Sequence, residues 1–223
     1  MKNENLKFRA SSLSKLMTPP RAKSENLSET AKTFLKELWI EKEFGRRKEI
    51  HSKYMEKGTM VEEEALTLFT EVTGQFYKKN ELFFENDLIS GTPDIFPGLV
   101  DIKSCWDLWT FMDFEADKYF WQMQGYMWLT GEKKATIAAC LIDTPFHLIV
   151  DEQQKWCWRN GIIDKDSEEV QKKILEIEKN MTFSDIEPER RVKTFEFQFD
   201  ESIPARIEEK SQFAIEYFNQ ITL

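Results

Sequence analysis

The fold is decided by residues 91–104, GTPDIFPGLVDIKS. Residues 92–96 and 99–103 are predicted as two neighbouring strands, because the Pro-Gly pair between them is a turn signal. Side chains alternate along a strand, so Leu99, Asp101 and Lys103 lie on one face of the second strand. Charges on a buried strand face cost desolvation free energy unless they have a task. If Asp94 lies alongside, two carboxylates and an ammonium group meet in a set suited to holding a divalent cation and a water molecule.

The composition limits the size of the domain and the kind of surface with which the chain could bind nucleic acid. The 223 residues fit one large domain, and 41% hydrophobic residues with 18 phenylalanines can bury a sizeable core. The net charge of -9 argues against a broad phosphate-binding surface, although a local basic groove can exist on an acidic body. Candidates for such a groove, each of which alone is better explained as a solvated face, are Arg46, Arg47, Lys48, Lys53, Lys57, Lys78, Lys79, Arg190, Arg191 and Lys193.

The cysteines and the apolar segments indicate the compartment. Cys105, Cys140 and Cys157 are far apart, and their odd number and spacing argue against a disulfide framework, a zinc site or an iron–sulfur cluster. Residues 1–5 lack the apolar run of a secretion signal, and no stretch approaches the length of a membrane span. We therefore expect a cytoplasmic protein that has no membrane partner; the family resemblance described below implies a bacterial or phage-infected cell.

The order of predicted elements favours an α/β (α+β) fold with a mixed central β-sheet flanked by helices. There are no repeats or linkers, which predicts one compact domain. Predicted helices cover residues 11–17, 28–45, 53–73, 116–129, 168–179 and 203–220. Predicted strands, besides the two at 92–96 and 99–103, cover residues 76–85, 135–142, 146–150 and 194–199.

A third carboxylate is predicted on the helix that contains Glu62, Glu63 and Glu64. The apolar stripe of this helix is formed by Val61, Ala65, Leu68, Phe69 and Val72. At the helical period, Glu62 lies at the edge of the stripe, whereas Glu63 points away and Glu64 lies on the far shoulder. Glu62 is therefore able to face a site beside the sheet. The alternative is that all three form a solvated acidic turn.

A polar face is predicted on the helix that follows the site. Tyr119, Gln122, Tyr126 and Leu129 lie on one side of this helix. The polar groups could be core residues satisfied by the backbone. Alternatively, Gln122 orients a carboxylate or a water molecule, and Tyr126 binds a phosphate or stacks on a base.

The aromatic segment after Lys103 also has two interpretations. Residues 105–114, CWDLWTFMDF, could form a wedge that unstacks a duplex end, or they could pack in the core or against another subunit. A second tryptophan-rich run, residues 156–158, is predicted to pack.

Taken in order, Glu62, Gly-Thr-Pro-Asp94, Asp101-Ile102-Lys103 and Gln122-x-x-x-Tyr126 resemble the PD-(D/E)XK nuclease superfamily. The resemblance is narrower to the branch of lambda exonuclease, the YqaJ viral recombinases and the RecB nuclease domains. It spans about residues 9–131 and implies a restriction-endonuclease-like core. Residues 1–223 would then form a single nuclease domain with N-terminal helices and a C-terminal helical extension. Asp101 stands where many relatives carry Glu.

The resemblance implies the roles of individual residues. The metal ligands would be Asp94, Asp101 and the backbone carbonyl of Ile102, with Glu62 as a direct or water-bridged ligand. Lys103 would orient or deprotonate the attacking water, and Gln122 would support the site. The segment Arg9-Ala10-Ser11-Ser12 resembles an Ala-Ser element that helps hold a 5′-phosphate, so Arg9, Ser11, Ser12 and Tyr126 are expected to contact substrate.

The implied activity is that of a Mg²⁺-dependent deoxyribonuclease, with Mn²⁺ as a substitute. The leading hypothesis is a 5′-to-3′ exonuclease that resects ends of linear double-stranded DNA for phage-type recombination or repair. It would work with a single-strand annealing protein, as a possible ring-like trimer. One alternative is a structure-specific or restriction-like endonuclease. Another is a catalytically idle module that binds DNA or protein, against which the intact Asp94, Asp101 and Lys103 argue.

Overall fold

Helices flank two small mixed β-sheets in the computed structural model, which describes residues 6–49 and 52–223. The helices are α1 (Leu13–Met17), α2 (Glu29–Phe44), α3 (Lys53–Met60), α4 (Glu62–Thr73), α5 (Leu108–Met112), α6 (Phe120–Thr130), α7 (Phe146–Arg159), α8 (Glu168–Lys179) and α9 (Ile203–Phe218). Short 3₁₀ turns cover Ala10–Ser12, Ala116–Tyr119 and Pro188–Arg191. Residues 1–5, on which the expectation about a secretion signal rests, lie outside the described residues.

The strands form two three-stranded sheets, and each sheet combines parallel and antiparallel pairs. The strands are β1 (Phe8–Arg9), β2 (Phe84–Glu85), β3 (Ile89–Gly91), β4 (Val100–Cys105), β5 (Lys134–Leu141) and β6 (Val192–Gln198). The first sheet has the order β1-β3-β2, with β1 parallel and β2 antiparallel to β3. The second has the order β4-β5-β6, with β4 parallel and β6 antiparallel to β5. The predicted mixed α/β class is confirmed, with its strands divided between two sheets.

Local end signals set α2 as predicted. The Ser28 side chain accepts a hydrogen bond from the backbone N–H of Ala31, and this satisfies one of the free donors of the first turn. Gly45 ends the helix with a φ of 63°, a left-handed conformation that suits glycine. The predicted helices at 168–179 and 203–220 and the strands at 135–142 and 194–199 are also confirmed, within about two residues.

The prediction of one helix over residues 53–73 is wrong, because the chain breaks between α3 and α4 at Val61. This residue has φ -101° and ψ 13° and is buried beside Val100 and Ala138 of the second sheet. Tertiary burial of the Val61 side chain therefore accompanies a turn that the helical period does not reveal.

The prediction of a strand at 146–150 is also wrong. This apolar run, FHLIV, forms the first turn of α7, which begins after Pro145. Leu148, Ile149 and Cys157 are its buried residues, and Ile149 and Cys157 are eight positions apart, a helical spacing. Short apolar runs do not distinguish a strand from a buried helical turn.

Two further predicted strands are largely loops. Of residues 76–85, only β2 is a strand, and residues 92–96 contribute a single bridge between Ile95 and Val100. The Asn80 side chain donates to the backbone oxygens of Leu82 and Pro93 at 3.0 Å each, so it links the two loops in place of a strand ladder. No described helix is long and apolar enough to cross a membrane.

The second sheet positions the candidate site between two helices. Leu99, at the start of β4, packs with Met123 and Tyr126 of α6. Val100 packs on the opposite face with Ala65 of α4. All three cysteines are free and buried.

Candidate active site

Strand β4 places Asp101 and Lys103 side by side on the face that meets α6. The register with β5 pairs Asp101 with Ile137 and Lys103 with Ala139. Asp101 is 2% exposed, and its Oδ2 lies 2.6 Å from Lys103 Nζ. Among the described residues, Asp101 Oδ2 has no other polar partner besides this contact with Lys103. The buried acid and base that the alternation predicts are therefore in direct contact.

Asp94 reaches the same point from the loop before β4. Its Oδ2 accepts a hydrogen bond of 2.7 Å from the backbone N–H of Ile102. Val100 exchanges backbone hydrogen bonds with Ile95 along the same edge of β4. The N–H and C=O of one strand residue point to the same side, so the carbonyl oxygen of Ile102 also faces the edge where Asp94 lies.

Helix α6 supplies the polar side chains that support Asp101. Gln122 Nε2 donates to Asp101 Oδ1 at 2.9 Å and lies 3.2 Å from Tyr126 Oη. Tyr126 in turn donates to the backbone oxygen of Thr92 at 3.3 Å. Gln122 thus orients a carboxylate. Tyr126 is buried, and its hydroxyl contacts Gln122 and the loop before Asp94.

Burial shapes the protonation of the two aspartates. Burial raises the pKa of Asp94 to about 7, helped by the charge of Asp101 and opposed by the N–H of Ile102 and the charge of Lys103. Burial likewise raises the pKa of Asp101, against the opposing effect of Lys103. For Lys103, burial lowers the pKa, but the ion pair with Asp101 and the charge of Asp94 outweigh it, so its pKa is raised. Lys103 therefore carries its proton at neutral pH.

The donor set fits a hard divalent cation. Asp94 and the carbonyl of Ile102 present oxygen atoms at the edge of β4, and Asp101 presents its carboxylate on the adjoining buried face, where Oδ2 has no partner in the described part of the chain beyond the ion pair with Lys103. Oxygen ligands are those that Mg²⁺ prefers, and it commonly keeps several waters where a protein provides few ligands. A cation here would also favour the charged forms of two carboxylates whose pKa values burial raises.

Glu62 is near this edge but is held elsewhere. Its Oε1 lies 3.1 Å from Lys79 Nζ, in an ion pair at the surface. Among the described residues, no three His, Cys, Asp or Glu side chains lie close enough to hold a metal ion together. Glu62 nevertheless lines the same cavity as Asp94, and its charge raises the pKa of both aspartates.

An open cavity of about 590 Å³ gives access to the site. Its lining includes Glu62, Asp94, Ile102 and Lys103. A second groove, of about 760 Å³, shares Met55 with this cavity, so the two adjoin. The groove lining that bears positive charge consists of Lys7, Arg9, Lys15, Lys42, Arg47 and Lys48.

The predicted Ala-Ser element lies in this groove. Arg9 and Ser12 line it, whereas Ser11 is exposed in the same turn and lies outside the groove lining. The turn packs against α6 at Gly125, where a Cβ atom would stand 2.7 Å from Leu13 Cδ1. The close approach that glycine permits therefore fixes the element to the helix that carries Gln122.

Sequence reasoning left three contributors to the site unassigned. Lys103 Nζ lies 5.1 Å from the ring centroid of Tyr119, and Lys79 pairs with Glu62. A Cβ atom on Gly91 would lie 2.6 Å from Tyr126 Cε1, so this glycine makes room for the tyrosine. Tyr119 shares the predicted polar face of α6 and could have been found there. The other two depend on contacts between distant segments, for which the sequence has no signal.

No protein-family model matches the sequence, and a search of curated proteins gives no match either. A phage related exonuclease from Haemophilus somnus 129PT matches with a TM-score of 0.76 and 29% identity, over 97% of this chain and 95% of that chain. An alkaline exonuclease from Laribacter hongkongensis, LHK-Exo, matches with a TM-score of 0.62 and 17% identity, over 97% and 90%. The structure of LHK-Exo in complex with dAMP matches with a TM-score of 0.61 and 18% identity, over 96% of this chain and 89% of that chain.

These matches confirm the predicted resemblance to the PD-(D/E)XK nuclease superfamily, in the branch that resembles lambda exonuclease. The likeness covers nearly the whole chain and so extends beyond residue 131, where the sequence motifs end. It also confirms the restriction-endonuclease-like fold class. The similarity to the phage related exonuclease indicates an exonuclease as the class of activity.

Proposed function

We propose that the chain is a metal-dependent exodeoxyribonuclease that digests linear double-stranded DNA from a 5′ end, with residues 1–223 acting as one nuclease domain. The observation that carries the proposal is that Asp94 and Lys103 line one accessible cavity, with the buried carboxylate of Asp101 in direct contact with Lys103. The similarity to a phage related exonuclease and to an alkaline exonuclease solved with dAMP supports DNA as the substrate.

Mg²⁺ would be held by Asp94, Asp101 and the carbonyl of Ile102, and Mn²⁺ would substitute for it. The bound ion supplies a water of lowered pKa and a positive charge beside the phosphate. Because Lys79 holds Glu62, we propose that Glu62 reaches the ion through a water molecule. Gln122 keeps Asp101 in position through its hydrogen bond to Oδ1.

Lys103 would act as a cation in the reaction. Its raised pKa keeps the ammonium group charged at neutral pH, which suits it to orient the attacking water and to stabilise negative charge at the phosphate. The contact with Asp101 and the ring of Tyr119 fix where this charge stands. The proton of the attacking water, whose pKa the bound ion would lower, would then pass to solvent.

The adjoining basic groove would hold the DNA strand that enters the site. Arg9 and Ser12 in this groove are the proposed contacts for a 5′-phosphate, with Lys15 beside them. Ser11, exposed in the same turn, would contact the backbone further along the strand, and Tyr126 would act from the interior by holding Gln122. Met55 lines both the groove and the catalytic cavity.

In the cell, we propose that the enzyme acts in the cytoplasm, where it resects DNA ends for phage-type recombination or repair beside a single-strand annealing protein. A ring-like trimer would enclose the duplex. Light scattering on the purified protein tests the trimer, because a mass of one chain would exclude the ring.

The test of the activity is digestion of 5′-labelled linear duplex DNA with Mg²⁺, beside covalently closed circles. We expect stepwise loss from the 5′ end, intact circles, and no activity in Lys103→Ala. Lys173→Ala is the matched control, since this lysine pairs with Glu176 on the surface of α8. Cut circles would favour the endonuclease alternative. Absence of cleavage with both Mg²⁺ and Mn²⁺ would favour an idle binding module.

A further inference from the structure

A second cavity, lined by tryptophans, borders the candidate active site. It measures about 300 Å³ and is lined by the rings of Trp106, Trp109 and Trp156. Trp106 also lines the catalytic cavity, so the two cavities share this residue. A volume of this size lies at the lower end of the range for small-molecule sites. We call this space the tryptophan cavity.

Trp106, the residue that the two cavities share, is held in place by contacts within the protein. Tyr54 meets Trp106 edge-on, with ring centroids 5.1 Å apart. Lys53 Nζ lies 4.6 Å from the Trp106 ring, and Lys57, which is 1% exposed, donates to the Trp106 backbone oxygen at 2.9 Å. An indole fixed on both its ring and its backbone requires little ordering when a flat ligand stacks on it.

Trp109, a second lining residue of the cavity, lies on a helical turn that is fixed at its start and is itself open to solvent. Asp107 and Thr110 form a reciprocal capping box at the start of α5, which fixes the helical turn that carries Trp109. Trp109 is nevertheless 61% exposed. A rigidly placed but solvent-exposed indole beside a nuclease site has the geometry of a stacking platform for a base.

The polar lining of the cavity suits a nucleotide. Arg159 supplies a positive charge at its edge. Glu152, the carboxylate that could repel a phosphate, is paired with Lys53 at 2.9 Å and with Lys155 at 3.1 Å. The remaining carboxylate, Asp107, accepts a hydrogen bond from the backbone N–H of Thr110.

We propose that the tryptophan cavity binds an unpaired nucleobase of the DNA substrate, stacked on Trp109, with Arg159 beside the adjacent phosphate. This inference rests on the proposed function and names the form of substrate that the site takes, which is a duplex whose end is frayed or carries a single strand. The base could come from either strand of the duplex. Both sources present the same flat aromatic face to the cavity.

The test is DNA binding in EDTA, where a metal-dependent nuclease does not cleave, followed by anisotropy of a labelled hairpin duplex. The hairpin is blunt, or carries a short adenine overhang at its 5′ or its 3′ end, so the two sources of the base are separated. We expect about tenfold tighter binding of one overhang form than of the blunt form, which is within the range of base–aromatic stacking. Trp109→Ala should abolish this preference, and Trp109→Phe should retain part of it.

Trp158→Ala is the matched control, because Trp158 is 83% exposed on α7 but does not line the cavity. It should keep the full preference for the overhang. Equal binding of blunt and overhang forms by the wild type would overturn the inference, and so would an unchanged preference in Trp109→Ala. Cleavage of linear duplex, measured in parallel with Mg²⁺, separates the two proposals. If the protein cleaves linear duplex but shows no preference for an overhang, only the inference about the tryptophan cavity is refuted. If the protein neither cleaves nor binds DNA, both that inference and the proposed function are refuted.

Discussion

Burial of Asp94 should make the stability of the metal-free protein fall as the pH rises. The pKa of its carboxyl group is raised from 3.8 to about 7, chiefly by burial. Between these two values the folded state binds a proton that the unfolded state has lost. The stabilisation is therefore complete below about pH 4 and is lost as the pH rises through about 7. A shift of about three pKa units corresponds to about 4 kcal/mol of unfolding free energy.

The perturbation that isolates this contribution is Asp94→Asn. The amide is nearly isosteric and can still accept the N–H of Ile102 through its oxygen, but it does not ionise. Urea unfolding in EDTA, from about pH 4 to about pH 8, gives the free energy of unfolding for both proteins. We expect the free energy of unfolding of the variant to rise relative to that of the wild type as the pH rises, by up to about 4 kcal/mol at the alkaline end.

Added Mg²⁺ should counteract the loss of stability at high pH in the wild type but not in Asp94→Asn. An ion held by Asp94 favours its charged form, so added Mg²⁺ should stabilise the wild type more near pH 8 than near pH 5. At about 100 times the dissociation constant, the gain is about 2.7 kcal/mol. Asp117→Asn, a change at an exposed carboxylate, is the control and should follow the wild type throughout. A difference between Asp94→Asn and the wild type that does not change with pH would refute the reasoning.

Three further substitutions test the packing around the site. Gly91→Ala should lower the free energy of unfolding by about 1–3 kcal/mol, because the new methyl group would meet the ring of Tyr126; chemical denaturation measures it, and unchanged stability would contradict the close approach. Tyr119→Leu should lower kcat by about 2- to 30-fold without raising KM, because it removes the aromatic ring beside the Lys103 ammonium group. Tyr119→Phe should restore the rate, and an equal loss of kcat in both variants would assign the effect to the hydroxyl group. Gln122→Leu should weaken activation by Mg²⁺ by about tenfold, through loss of a hydrogen bond to a carboxylate; an unchanged Mg²⁺ titration of the rate would show that Gln122 is dispensable there.

The parts of the site that lie on one regular element could be predicted from the sequence. Asp101 and Lys103 alternate on a strand, and Gln122 and Tyr126 are one helical turn apart, so local geometry alone places each pair on one face. The prediction that Gln122 orients a carboxylate agrees with its hydrogen bond to Asp101. Periodicity is informative here because the neighbouring residues of each element are deeply buried.

The parts that depend on contacts between distant segments could not be predicted. Residues 92–96 form a loop, since Asn80 satisfies backbone oxygens where a strand ladder was expected. The ion pair of Glu62 with Lys79 joins α4 to a segment without regular structure. The helical period could place Glu62 near the site, but it does not predict that the side chain forms an ion pair with Lys79.

The distribution of cations explains how an acidic chain could engage DNA locally. Several of the basic residues that the sequence offered for a groove have structural partners: Lys53 with Glu152, Lys57 with Trp106, Lys79 with Glu62, Lys193 with Phe111 and Lys48 with Glu37. Arg47 and Lys48 line the basic groove with Lys7, Arg9, Lys15 and Lys42, and three glutamates, Glu37, Glu41 and Glu49, line it as well. Each phosphate that a protein neutralises releases counterions and adds to its affinity. A groove with a few cations on a body of net charge -9 can therefore hold a short stretch of one strand while the remaining surface repels the duplex. That balance favours engagement at an end over binding along the length of the DNA, as a digestion that begins at ends requires.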